Sequence, residues 1–146
     1  MSLVSVKALS HVAVRVTDLA RSIAWYEAVL GYDVFRSGPA PTPDRTPHAM
    51  GLIGGVTMEL LESASAAPPG PNAVGIIGLS LTVADVAAAL EAVTAGGHKP
   101  LSGVIAAEDW KVAFLADPDG NIIELVQQPR GASSIAELAE ALRARV

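Results

Sequence analysis

The chain repeats itself. "HVAVRVTDLARSIAWYEAVLGYDVFRSG", from His11, lies over "GLSLTVADVAAALEAVTAGGHKPLSG", from Gly78, at an offset of 67 residues. Val16 falls on Val83, Asp18 on Asp85 and Leu19 on Val86. In both copies an alternating apolar run meets an Asp, passes into a helical period and leaves at Gly. A repeat of this length is one supersecondary unit used twice, so the fold is two similar modules rather than one continuous layer.

Each copy ends in a hairpin. "HAMGLIGGVTMELLE" sets Gly54–Gly55 between two apolar runs, and "WKVAFLADPDGNIIELVQ" sets Asp119–Gly120 between two more. Such dipeptides mark tight turns. Each half therefore reads β-α-β-β-β, which places the chain in the α+β class. Asp18 and Asp85 are helix N-caps, and Gly31 and Gly96–Gly97 are helix ends. Module one spans 6–62, "SASAAPPGPNA" (63–73) is a linker, and module two spans 74–128. The tail 129–146 carries Ile135, Leu138, Leu142 and Val146 at helical spacing, so it is predicted to be a C-terminal helix. "SGPAPTPDRTP" (37–47) reads as a Pro-rich loop, with the alternatives of a lid or a disordered segment.

Period two assigns the strand faces. Val12, Val14 and Val16 oppose His11, Ala13 and Arg15. Met58 and Leu60 oppose Thr57, Glu59 and Leu61. Leu79, Leu81 and Val83 oppose Gly78, Ser80 and Thr82. Ile123 and Leu125 oppose Ile122, Glu124 and Val126. One face of each strand is aliphatic and is expected to pack on the helices. The other holds carboxylates in apolar runs at matching places of both copies, where an unpaired charge is costly. A solvated sheet face accommodates polar residues too, but here they are few and mixed with large apolar side chains, as in a pocket lining. His and Glu together suit a divalent cation or proton transfer.

Composition removes several classes. With 146 residues, 51% of them apolar, the chain can bury a core. A net charge of −5 without a Lys/Arg cluster argues against a nucleic-acid partner. The absence of Cys excludes disulfides, thiolate ligands and a Cys nucleophile. No apolar run suits a membrane span or a signal peptide, so a cytoplasmic location is expected.

"SHVAVRVTDLARSIAWYEAVLGYDVF", "MELLE" and "FLADPDGNIIELVQ" together resemble the vicinal oxygen chelate superfamily, the glyoxalase I, bleomycin-resistance protein and extradiol dioxygenase group, over 6–128. The resemblance implies a curved, partly closed mixed sheet around a pocket and a homodimer. It also implies a metal site with one ligand from the first and one from the last strand of each module. His11, Glu59 and Glu124 match three of these positions. The remaining one falls on Gly78, where metal-binding members carry His. The implied cofactor is a divalent ion (Zn, Mn, Fe, Ni or Mg), with His48 as an alternative ligand from outside the pattern.

The implied function is small-molecule enzymology of the glyoxalase-like type: metal-assisted isomerase or lyase chemistry on a carbonyl substrate, with Glu124 as ligand and catalytic base. The alternative is a metal-free binding or resistance protein for an antibiotic or aromatic ligand. Extradiol dioxygenase chemistry is less favoured, because Gly78 removes a His. Arg15, Ser80, Thr82, His48 and Trp110 are candidate pocket residues. For Arg15 a structural ion pair is the competing role.

Overall fold

The computed structural model describes residues 3–4, 6–41, 43–63, 65–67, 74–107 and 110–129. The expected C-terminal helix and most of the linker lie outside the described residues. The chain divides into two compact units. The first runs to residue 77 and takes in 117–121, and the second comprises 78–116 and the chain from 122 onward.

In the first unit the elements are β1 (Val12–Val16), α1 (Leu19–Leu30), β2 (Asp33–Pro39), β3 (Pro47–Ile53) and β4 (Val56–Glu62), and the sheet order is β1-β4-β3-β2. In the second they are β5 (Gly78–Thr82), α2 (Val86–Ala95), β6 (Ile105–Ala107), β7 (Trp110–Ala116) and β8 (Ile122–Gln127), in the order β5-β8-β7-β6. In its described residues each unit is thus the expected βαβββ arrangement, a four-stranded mixed sheet with one helix. β1 pairs parallel with β4, and β5 with β8. The 37–47 segment is shorter as a loop than its proline content suggests. Ser37–Pro39 continue β2 and Pro47 opens β3, because Pro39 and Pro47 pair at the open end of the ladder, where a missing donor is tolerated.

Local chemistry sets the element ends. Asp18 Oδ1 accepts the Arg21 N–H at 2.9 Å, and Asp85 Oδ1 accepts the Ala88 N–H at 3.0 Å. The Ala88 amide holds the Asp85 carboxyl below its ordinary range. Gly31 closes α1 at φ 64°. In α2 the left-handed residue is Gly97, at φ 84°, one step beyond Gly96. Gly54 and Gly55 both have positive φ, 53° and 81°, as a two-residue hairpin of right-handed strands requires.

The aliphatic faces become the core. Val16, Met58 and Leu60 are buried in the first unit, and Ile123, Leu125, Ala113 and Leu115 in the second. Each large aliphatic side chain so buried contributes about 2 kcal/mol. Tyr32 anchors the centre of the first sheet. Its O–H is shared between the carbonyls of Ala49 and Met58, both at 3.1 Å. A Cβ at Gly51 would collide with its ring, which accounts for the glycine in mid-strand.

The turn 117–121 belongs to the first unit. Asp117 Oδ1 caps its own turn, accepting the N–H groups of Asp119 and Asn121 at 2.9 and 2.8 Å. Its Oδ2 accepts the O–H of the fully buried Tyr26 at 3.0 Å. Burial, and next the Asp117 charge, push the Tyr26 phenol far above its ordinary pKa. Asp119 accepts both the N–H and the hydroxyl of Thr17, and the Arg21 guanidinium at 2.5 Å. Burial alone would raise the Asp119 carboxyl, but the Thr17 and Arg21 bonds outweigh it and hold the group below the carboxylate range.

Two outcomes follow from this turn. Tyr26→Phe removes a buried bond to a charged group and is expected to cost about 1.5–3 kcal/mol in urea unfolding. Asp119 has a depressed folded pKa, so its contribution is present above the ordinary pKa and is lost as the pH falls through the folded value. The difference in unfolding free energy between wild type and Asp119→Asn is therefore expected to be constant near neutrality and to shrink below about pH 4.

Candidate functional site

The two-residue turn at Gly54–Gly55 fixes the register of β3 on β4 and so fixes what stands beside Glu59. Ile53 pairs with Val56, Met50 with Glu59 and His48 with Leu61. On the other side of β4, Ala13 pairs with Glu59 and Arg15 with Leu61. Paired residues share a face, so His48, Met50, Ala13, Arg15, Glu59 and Leu61 all lie on the face away from the buried aliphatic residues.

Three of the candidates come together there. His11 Nε2 stands 3.6 Å from Glu59 Oε2, and His48 Nε2 stands 4.0 Å from Glu59 Oε1. The Glu59 side chain is 15% exposed, His11 40% and His48 1%. The carboxylate therefore lies between an accessible and a buried imidazole, at separations too long for a direct hydrogen bond. His11 Nδ1 is 3.2 Å from Ser10 Oγ. His48 Nδ1 is 2.8 Å from the carbonyl of Gly38, its partner residue on β2. Tyr32, beneath this sheet, has its phenol pushed up to about 12 by burial and then by the charges of Glu59 and Glu27.

In the second unit Ser80 and Glu124 are partners in the β5–β8 ladder, and the Ser80 hydroxyl donates to Glu124 Oε2 at 2.7 Å. Thr82, two residues along, accepts from Gln128 Nε2 at 3.3 Å. Phe114 lies directly opposite Glu124 across β7 and β8. Trp110 shares that face by period two and is half-buried. Phe114 and Met50, the cross-strand neighbours of the two carboxylates, were not among the sequence candidates. Counting back from the hairpin turns would have found both.

Two expectations change. The ion pair considered for Arg15 is not formed among the described residues; the residue is exposed, and its carbonyl accepts Asn121 Nδ2 at 3.2 Å. Position 78 is more than a missing side chain. A Cβ there would stand 2.7 Å from the Ile122 carbonyl oxygen and 3.2 Å from the Ile122 Cβ. The backbone of β8 occupies the space through which a side chain would leave.

Among the described residues, no group of three or more His, Cys, Asp or Glu side chains is gathered so that it could hold a metal ion. His11 and Glu59 bring together an imidazole nitrogen and a carboxylate oxygen, donor types that divalent ions take, as a pair and not as a set of three. No helix among the described residues is long and apolar enough to cross a membrane.

Comparison with known proteins gives one family. The model for the Glyoxalase/Bleomycin resistance protein/Dioxygenase superfamily matches residues 8–125. No curated protein matches the chain. Among solved structures, a glyoxylase/bleomycin resistance protein/dioxygenase domain from Frankia sp. EAN1pec superposes with a TM-score of 0.74 at 23% identity, covering 88% of this chain and 96% of that one. The glyoxalase family protein from Enterococcus faecalis gives a TM-score of 0.73 at 23% identity over 82% and 97%. A variant of the fosfomycin resistance protein FosX from Listeria monocytogenes, complexed with Mn(II) and 1S,2S-dihydroxypropylphosphonic acid, gives 0.68 at 18% over 92% and 99%. At these identities the superpositions speak for the fold.

The closed corner at 78 has a direct test. Gly78→Ala and Gly78→His are both expected to lower the unfolding midpoint, with a loss of roughly 1–3 kcal/mol or more for the Ala variant. Gly78→His is expected to gain no affinity for Mn²⁺ by calorimetry.

Proposed function

The chain belongs to the Glyoxalase/Bleomycin resistance protein/Dioxygenase superfamily, and from that premise we propose that it is a small-molecule enzyme of the glyoxalase-like type. In this reading His11, Glu59 and Glu124 hold a divalent cation, and Glu124 also moves a proton of a carbonyl substrate. The observation that carries it is the pair on the first sheet: His11 and Glu59 meet at 3.6 Å on the face away from the core. They match two of the ligand positions that the resemblance to the superfamily implies. A divalent ion bound there supplies Lewis acidity toward a carbonyl oxygen.

The chain's own residues supply the rest. Glu59 is mostly shielded from water, so its charge acts at higher strength than a solvated carboxylate would. Glu124 is held in one orientation by the Ser80 hydroxyl, which leaves its other oxygen free to accept a proton. Phe114, opposite Glu124, offers an apolar surface to the non-reacting part of a substrate. The working form in this reading is a cytoplasmic homodimer.

A second reading has its own observation. The Ile122 backbone closes the corner at Gly78, which supports a protein that binds an aromatic or antibiotic-like ligand without metal.

Metal analysis after reconstitution with Mn²⁺ separates the two. The enzyme reading expects stoichiometric ion in the wild type and at least roughly tenfold weaker binding in His11→Ala, Glu59→Ala and Glu124→Ala. No retained ion, together with undiminished affinity for an aromatic ligand, contradicts it.

A further inference from the structure

A cavity of about 470 Å³ opens between α1 and the far end of the β2–β3 ladder, a size that suits a small molecule. Leu19 and Ile23, one turn apart on α1, form one wall. Pro39 and Pro47, which pair at the end of the ladder, form another. Glu62 borders the same space. It pairs with the buried Val16, so period two sets it on the helix side of β4, opposite to Glu59. The cavity is therefore separate from the face that carries Glu59.

Two charged side chains stand at these apolar walls, Glu62 and Arg45. Glu62 Oε2 accepts the Leu19 N–H at 2.9 Å, which orients the carboxylate at the start of α1. Its Oε1 has no hydrogen-bond partner among the described residues. Arg45 stands just before Thr46, whose carbonyl accepts the Ala40 N–H at 2.8 Å and closes the turn. Its backbone is left-handed, at φ 49°, the one non-glycine residue so placed among the described residues. A side chain disfavours that conformation. The guanidinium makes no ion pair or hydrogen bond among the described residues. A carboxylate and a guanidinium thus share one cavity without meeting each other.

A ligand with a single charge would satisfy one of these groups and meet a like charge at the other. A ligand with no apolar part would leave the Leu19, Ile23 and proline surfaces in water. We propose that this cavity is a second binding site of the protein, for an α-amino acid with an aliphatic side chain. The ammonium donates to Glu62 Oε1. The carboxylate takes the Arg45 guanidinium, whose fork of N–H groups matches its two oxygens. The side chain lies along Leu19 and Ile23. Glu62 and Glu59 share β4, three residues apart on opposite faces, yet the site requires no cation at Glu59 and stands or falls apart from the proposed function.

Titration of the ¹⁵N-labelled full chain with L-leucine tests it. The amide signals of Leu19, Ala20 and Ile23 are expected to shift and to saturate. Isocaproate lacks the ammonium, isopentylamine lacks the carboxylate and glycine lacks the side chain. Each is expected to bind about tenfold or more weakly than leucine. Glu62→Gln keeps an oxygen for the Leu19 N–H and removes the charge. Arg45→Asn removes the guanidinium and tolerates the left-handed backbone. Both are expected to keep the wild-type unfolding midpoint and to lose about tenfold or more in leucine affinity. No saturable shift at these amides, either singly charged analogue binding as tightly as leucine, or wild-type leucine affinity in either variant each overturns the inference and leaves the proposed function standing. The ligand series needs only the wild type, so an unstable variant does not remove the test.

Discussion

Among the described residues each four-stranded sheet has one helix of its own module packed on it, and that helix covers one of the two faces. Period two then decides every side chain's environment. Val12, Val14 and Val16, or Ile123 and Leu125, must take the covered face, and whatever alternates with them must take the other. The carboxylates of Glu59 and Glu124 stand on the face away from the helix because a shift of one residue would put them against it and the aliphatic residues on the other side. That error would cost a large part of the stability of a domain of this size. The alternation therefore fixes the fold and presents the polar groups in a single act.

Much of this could be read from residue order alone. The repeat, the Asp caps, the glycine turns and the strand faces are local signals, and each corresponds to a local force. Tyr26 and Asp117 were beyond such reading, because their bond joins residues far apart in the chain. The turn "DPDG" announces a hairpin, but nothing in it announces that its first Asp receives a buried phenol from α1. The closure at Gly78 was likewise illegible. Its physical cause is the position of the Ile122 carbonyl, a backbone atom that residue type does not encode.

The neighbourhood of Glu59 lies between these cases. Its own position was legible from parity, and His11 from the matching place on the first strand. His48 stood outside the pattern, after a Pro-rich stretch that reads as loop. Yet the two-residue turn at Gly54–Gly55 makes the β3–β4 register calculable, and the calculation puts His48 beside the residues that flank Glu59. The hairpin turn is as much a part of the site as the side chains it aligns. The two modules differ at these positions: in the first, Glu59 faces two imidazoles; in the second, Glu124 is bonded to the hydroxyl of its ladder partner Ser80.

The central claim is the proposed one, that His11 and Glu59 are ligands of a divalent cation. Crystals grown with Zn²⁺ and measured at the zinc absorption edge address it most directly. The account predicts an anomalous peak about 2.0–2.2 Å from a Glu59 oxygen and the Nε2 of His11. A zinc peak only elsewhere on the chain, with Glu59 bonded to an organic ligand or to water alone, would contradict it.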